Sequence, residues 1–393
     1  MAQNPGDYQE AVPVAQLGII ALPGCERMAQ QVDAYITGWR REFASKLPPG
    51  DIRHQHVHDS YLIEAHIDRF STGEGKAVIS QSVRGYDLFL LCDCFNWGVR
   101  YKMYGEMRRT SPDEHFASLK RVISAAAGKE RRLTVIMPML YEGRQHWRSG
   151  RESLDCALAL QELVQLGVQN IITFDAHDPR VQNAIPNCGF ESVPPIYQMI
   201  KAILNNVDDL NIDKDHLMVI SPDEGSMKRS IFYSNMLGVD LGMFYKRRDY
   251  SVVKDGRNPI VAHEFLGSNV QGKDVIVVED MIASGDSILD VCTQLKELGA
   301  ERVFICASFG LFTDGLGRMD AACKAGLFDK IFTGDMIYTP PDLLERAWHV
   351  SVRMSKYISF LIDTLNHDQS LSKLLNPTDR IQRLLVSKGY RLG

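Results

Sequence analysis

The stretch Val275-Ile276-Val277-Val278-Glu279-Asp280-Met281-Ile282-Ala283-Ser284-Gly285-Asp286-Ser287-Ile288 opens with four β-branched apolar residues. Two acids, a short Ser/Gly turn and the first residue of a helix face follow, a face continued by Val291, Cys292 and Leu295. A wholly apolar strand needs cover on both sides, which is the condition of a parallel sheet flanked by helices. Gly299 stops the helix and Val303-Phe304-Ile305-Cys306 supplies the next strand, so the unit reads strand, helix, strand.

The same rhythm extends upstream. Leu217-Met218-Val219-Ile220 leads into Ser221-Pro222-Asp223-Glu224-Gly225-Ser226, a helix ending near Gly238, a strand from Leu241 to Tyr245, and the basic triplet Lys246-Arg247-Arg248. In the first half, Gly18-Ile19-Ile20-Ala21-Leu22 is broken by Pro23-Gly24 and a helix begins near Glu26. Two further apolar runs, 86–92 and 133–137, enclose Phe116, Leu119, Val122, Ile123 and Ala126 at helical spacing. A helical segment from Ser153 to Gly167 then leads into Ile171-Ile172-Thr173-Phe174 and the polar triplet Asp175-Ala176-His177. Repetition in both halves predicts an α/β protein of two tandem doubly wound parallel-sheet domains, with ligands beyond the carboxyl ends of the strands. Asp175, His177, Asp223, Glu279 and Asp280 all fall there.

Length and composition agree. A chain of 393 residues, 45% hydrophobic and 24% charged, has the size of two globular domains and not the make-up of a disordered or fibrous chain. Against 44 Lys and Arg stand 49 Asp and Glu, a net charge of −5, so no global basic excess exists to hold nucleic acid and any anion site is local. The eight cysteines are scattered without a C-x-x-C pair, the pattern of reduced, buried thiols in a cytoplasmic protein. The sequence shows no signal peptide and no apolar run long enough to span a membrane. Residues 1–15 read as a loose leader, and 97–114 and 370–393 as irregular surface. His54, His56 and His58 alternate along a possible strand, but nothing completes a zinc set, and they are left out of the site.

Two carboxylates at a strand end can accept hydrogen bonds from sugar hydroxyls, while Ser284 to Ser287 offer backbone N–H groups at a helix N-terminus, where the dipole favours phosphate. That combination suits a ribose phosphate. Here the sequence resembles the ribose-phosphate pyrophosphokinase (PRPP synthetase) family: 277–288 is similar to its phosphoribosyl-pyrophosphate loop. Arg69-Phe70-Ser71-Thr72-Gly73-Glu74, Ser82-Val83-Arg84-Gly85, Gly143-Arg144-Gln145, Asp175-Ala176-His177, Ser221-Pro222-Asp223 and Lys246-Arg247-Arg248 resemble other elements of the family in the same order.

The resemblance implies two type I phosphoribosyltransferase-like domains, 16–185 on the ATP side and 186–370 on the ribose 5-phosphate side, followed by a C-terminal extension, 371–393. It implies transfer of the pyrophosphoryl group of MgATP to the 1-hydroxyl of ribose 5-phosphate, giving PRPP and AMP. By the same resemblance Phe70, Thr72, Gly73, Glu74, Arg144 and Gln145 hold ATP, partly from a neighbouring subunit. Asp175, His177 and Asp223 take magnesium-linked positions. Lys246 and Arg248 lie on a mobile catalytic loop, and Glu279, Asp280, Ala283, Ser284, Gly285, Asp286 and Ser287 take ribose 5-phosphate; that the basic 246–257 segment closes only over bound nucleotide is a hypothesis from the chemistry, since closure would limit hydrolysis by water. A homo-oligomer built from dimers, up to a hexamer, is implied as well.

The chain departs from the family at four positions. Thr72 and His146 stand where acids are usual, Ala283 replaces an acid in the phosphate loop, and Asp286 replaces a small residue. A carboxylate about 4 Å from a phosphate charge costs about 4 kcal/mol at a surface-like dielectric, so Asp286 must face outward, pair with a cation or mark a changed ligand. The competing readings are a diphosphokinase for a variant sugar phosphate, a non-catalytic regulatory relative that binds nucleotide or partner subunits, and a phosphoribosyltransferase.

Overall fold

The computed structural model describes residues 11–248 and 260–390. Positions 1–10 of the leader, most of the 246–257 loop and the last three residues of the tail therefore lie outside the described residues. The chain packs as two compact units. The first runs to Pro194 and includes Met336–Tyr338 and Arg353–Asn376; the second takes Pro195–Asp335, Thr339–Val352 and the chain from Pro377 on. This division is less linear than cuts after 185 and 370, because the Ser355–Asn366 helix returns to the first unit and packs on the Glu26–Ala44 helix, with Trp39 stacked on Phe360 at 4.4 Å.

Among the described residues the first unit holds a five-stranded sheet in the order Leu17–Ala21, Asp87–Leu91, Arg132–Ile136, Asn170–Phe174 and Gly189–Val193, all parallel. Leu88, Leu90, Leu133, Val135 and Ile171 share one core with Leu119 and Val122 of the Pro112–Ala126 helix and with Leu160 and Leu163 of the Asp155–Gln165 helix. The Pro112–Ala126 helix starts on a capping box, Ser111 with Glu114, and ends where Ala127 turns left-handed at φ +56°. Near the end of the sheet lies a buried ionic network. Arg132 grips Asp87 with two bonds of 2.8 and 2.6 Å, and Asn366 donates to Asp87 at 2.8 Å. Arg40 donates to Asp363 at 2.9 and 2.7 Å and to Asn366 at 2.7 Å.

The second unit carries a seven-stranded sheet among the described residues, ordered Ile260–Leu266, Asp240–Arg248, Leu217–Ser221, Asp274–Ile282, Val303–Gly310, Lys330–Gly334 and His349–Val352. The purely parallel expectation needs one correction here: the Ile260–Leu266 edge strand is antiparallel to Asp240–Arg248. Gly242 admits it, since a Cβ there would lie 2.6 Å from the Phe265 ring. Sequence order reverses between Leu217–Ser221 and Asp274–Ile282, which makes the crevice beyond those two strand ends the switch point of the sheet.

Three local expectations are corrected. Residues 97–114 are not irregular: Arg100–Met103 and Glu106–Arg109 form a hairpin, turned by Tyr104 and Gly105 at φ +48° and +88°. His54 and His56 lie on a 3-10 turn, Ile52–His56, capped by Asp51, and not on a strand. The tail contains the Thr378–Ser387 helix, which buries Ile381 and Leu385 and brings Arg380 over the Tyr197 ring at 5.2 Å. The eight cysteines are free, six of them buried.

Candidate active site

In the second unit, Gly242, Ile220 and Val277 lie in one row across three neighbouring strands. Glu279 is two residues beyond that row, Asp223 three and Lys246 four, so all three positions emerge from the same edge of the sheet. At about 3.3 Å per residue, Lys246 stands about 13 Å past the row on its strand. The backbone of Lys246 and Arg248 is part of the Asp240–Arg248 strand; their side chains lie outside what is described.

Glu279 and Asp223 are brought together through Ser226. The Ser226 hydroxyl donates to Glu279 Oε1 at 2.5 Å, and its backbone N–H donates to Asp223 Oδ1 at 3.2 Å. Arg229 donates to the same hydroxyl at 3.2 Å. Asp280 is buried, and its own carboxylate accepts the Met281 N–H at 2.8 Å. Desolvation, and then the neighbouring Asp280 charge, push the Glu279 carboxyl up to about 8.

A folded-state value above the ordinary one means that the native protein holds the extra proton. The stability this group contributes is therefore complete below about pH 4.5 and lost as pH rises to about 8. The Glu279→Gln variant should melt with a flatter pH dependence than the parent between pH 5 and pH 9. Identical slopes in thermal melts would remove the buried proton from the account.

The phosphate-type loop turns at Gly285, φ +94°, where a Cβ would sit 1.8 Å from Met319 Cε; the Asp286–Glu297 helix begins there. The Thr313 N–H donates to the Ala283 carbonyl at 3.0 Å and the Leu311 N–H to Ile282 O at 2.9 Å, fixing the loop from behind. Asp286 pairs with Arg318, so of the three alternatives open to this acid the chain shows pairing with a cation.

The first unit presents two groups of candidate residues. Phe70, Thr72, Gly73 and Glu74 form the tip joining the Ala65–Arg69 and Gly75–Ile79 strands. The Phe70 side chain is 57% exposed, Gly73 turns at φ +96°, and the Thr72 hydroxyl donates to Glu74 at 3.0 Å. The second hairpin braces this tip: the Tyr104 N–H donates to Ser71 O at 2.9 Å, and Arg69 lies over the Tyr101 ring at 4.7 Å.

Arg144 and Gln145 lie in the loop after Arg132–Ile136, while Asp175 and His177 follow the adjacent Asn170–Phe174 strand. His146 joins the two, with Nε2 3.6 Å from Asp178 and its ring 5.3 Å from that of His177. The Gln145 amide nitrogen donates to Trp147 O at 3.3 Å and Ser153 O at 3.0 Å, so it closes its own loop. The strand does not continue through His177, as a shared side for acid and imidazole would require, because Asp175 turns left-handed at φ +43°.

Among the described residues no three His, Cys, Asp or Glu side chains gather as a closed metal site. The donors present still suit Mg²⁺, which keeps waters and substrate phosphates and uses one or two protein carboxylates. Asp175 in the first unit and Asp223 in the second are of that kind, and His177 would act through a bound water.

Sequence reasoning missed Ser226 as a site residue, although it closes the turn after Asp223. It also missed Arg318, which no spacing rule connects to a loop more than thirty residues earlier.

Comparison with known proteins accounts for both units. Residues 17–167 match the N-terminal domain of ribose phosphate pyrophosphokinase, and residues 190–327 match the phosphoribosyl transferase domain. The chain belongs to the ribose-phosphate pyrophosphokinase family. Among relatives bearing that name, the protein of Vibrio parahaemolyticus is 27% identical over 323 residues, covering 80% of this chain and 92% of its own. That of Corynebacterium glutamicum is 28% identical over 272 residues, covering 68% and 75%. The fold matches the crystal structure of phosphoribosylpyrophosphate synthetase from Mycobacterium smegmatis with a TM-score of 0.68 at 20% identity, over 90% of this chain and 99% of that one. The family is one of enzymes, and among the described residues no helix is long and apolar enough to cross a membrane.

Proposed function

We propose that the protein transfers the pyrophosphoryl group of MgATP to the 1-hydroxyl of ribose 5-phosphate, releasing AMP and PRPP, as a cytoplasmic homo-oligomer. The observation that carries this reading is the convergence of Glu279, Asp223 and the 283–287 loop at the switch point of the second sheet, with Lys246 on the neighbouring strand end. Family membership supports the same chemistry.

In this reading Glu279 and Asp280 receive the ribose hydroxyls and the helix start at Asp286 receives the 5-phosphate. A neutral Glu279 can donate as well as accept, so it suits a hydroxyl without placing a second full charge beside Asp280. Phosphoryl transfer leaves little covalent work for the protein, so the barrier falls through in-line positioning and neutralisation of charge, the part given to Lys246 and Arg248. Bound magnesium would neutralise phosphate oxygens; the candidate holders are Asp175 and His177 in the first unit and, separately, Asp223 in the second. Phe70, Thr72, Gly73, Glu74, Arg144 and Gln145 are assigned to the nucleotide.

Incubation with MgATP and a panel of pentose phosphates, followed by phosphorus NMR, tests the proposal. A diphosphate at the anomeric carbon of ribose 5-phosphate, formed with AMP, is the expected product. Binding of nucleotide without turnover on any sugar would favour a regulatory relative instead.

A further inference from the structure

The loop proposed to hold a sugar phosphate carries an acid at its centre. Asp286 is the first residue of the Asp286–Glu297 helix, where the same N–H groups and dipole that would attract a phosphate also attract its carboxylate. Left unpaired, that carboxylate would compete with the phosphate and repel it. Both of its oxygens are engaged. Arg318 Nη1 pairs with Oδ1, and the Ser284 hydroxyl donates to Oδ2 at 3.2 Å.

The position of Arg318 is set by the fold. Its neighbour Met319 is fully buried and fills the space that a side chain at Gly285 would take, so the start of the Gly317–Lys324 helix is keyed to the phosphate loop itself. The backbone N–H groups of Leu311 and Phe312, which donate to Ile282 O, and of Thr313, which donates to Ala283 O, hold the same junction. Arg318 is thus delivered to Asp286 from a buried anchor one residue away.

We propose that Arg318 is a positioning residue for sugar-phosphate binding. It neutralises Asp286 and turns its carboxylate away from the phosphate seat, which allows this chain to keep an acid where the family has a small residue. This rests on reading 279–287 as the ribose 5-phosphate loop. The pair is more than half exposed on both sides, so as a plain surface ion pair it would add little to stability, whereas its effect on an anion seated in the loop is direct.

The test compares wild type, Arg318→Ala, Asp286→Ser and the double variant by calorimetry with ribose 5-phosphate and with inorganic phosphate, at low ionic strength, beside ribose 5-phosphate-dependent AMP release. Arg318→Ala should weaken binding of the sugar phosphate by about tenfold or more, about 1.4 kcal/mol per decade, with an unchanged melting temperature and an unchanged KM for ATP. Asp286→Ser should bind at least as tightly as wild type, and the double variant should return to within about threefold of it.

An Arg318→Ala protein that binds like wild type, or a double variant as weak as Arg318→Ala, would overturn the proposal. Binding that follows the expected order without AMP release would leave it standing and defeat the proposed reaction; AMP release with no effect of Arg318→Ala would do the reverse. A wild type that binds neither probe would defeat both.

Discussion

Replacing Lys246 by alanine is expected to lower ribose 5-phosphate-dependent AMP release by about a thousandfold, equivalent to about 4 kcal/mol of transition-state stabilisation. The transferred group carries its charge on peripheral oxygens, and a single well-placed cation in such reactions is worth about 10³ to 10⁵ in rate. The strand Asp240–Arg248 carries the backbone of Lys246 beyond the end of its parallel neighbour Leu217–Ser221, toward the same edge as Asp223 and Glu279, while the antiparallel strand Ile260–Leu266 runs beside it. Initial rates at saturating substrates measure the effect. The loss should appear in kcat, with the KM for ribose 5-phosphate changed by less than about threefold, because a cation acting on the transferring group adds little to sugar binding. A fall of less than about tenfold would make Lys246 a general contributor to surface charge and not the cation of the reaction.

Arg40→Met is expected to destabilise the first unit by about 3–5 kcal/mol, the usual cost of stranding a buried charge. Arg40 is 4% exposed and Asp363 fully buried, so removal of the guanidinium strips the carboxylate of its two charge-assisted hydrogen bonds and leaves the His367 imidazole, 3.7 Å away, as its nearest basic group. Trp39, one residue away on the same helix and stacked on Phe360, reports the helix pair directly by fluorescence in a denaturant titration. The double variant Arg40→Met/Asp363→Leu should recover most of the loss, since a paired apolar replacement removes the stranded charge. If the single variant unfolds at the parental midpoint, the network is not what joins these helices.

Much of this architecture was legible because parallel strands buried on both faces are written as unbroken apolar runs. Leu217 to Ile220 and Leu133 to Met137 each mark their strand to within one residue, whereas Val275 to Val278 mark only the first half of Asp274–Ile282, which continues through Glu279 and Asp280 to Ile282. Glycines 238 and 285 mark helix ends through their left-handed backbone. The two hairpins of the first unit were not read, because one side of each is solvated and their alternation is carried by residues such as Arg100, Lys102 and Lys76. The acid pair and the phosphate-type loop could be read locally, since strand end and helix start are adjacent in sequence. The Ser226 link and the Arg318 pair could not, since each depends on packing between segments that no local period relates.

Nor could the sequence announce where the chain goes last. Residues 353–376 complete the first unit, with Asn366 donating to Asp87 and the Leu365 carbonyl accepting from Arg132. During synthesis the ribosome has therefore released the whole second unit except its final helix before the first can close its ionic network. A nascent chain halted near position 350 holds Asp87 and Arg40 without their late partners. A stop codon placed between Val352 and Asn366 removes the late partners of Asp87 and Arg132 and so acts on the first unit as much as on the second.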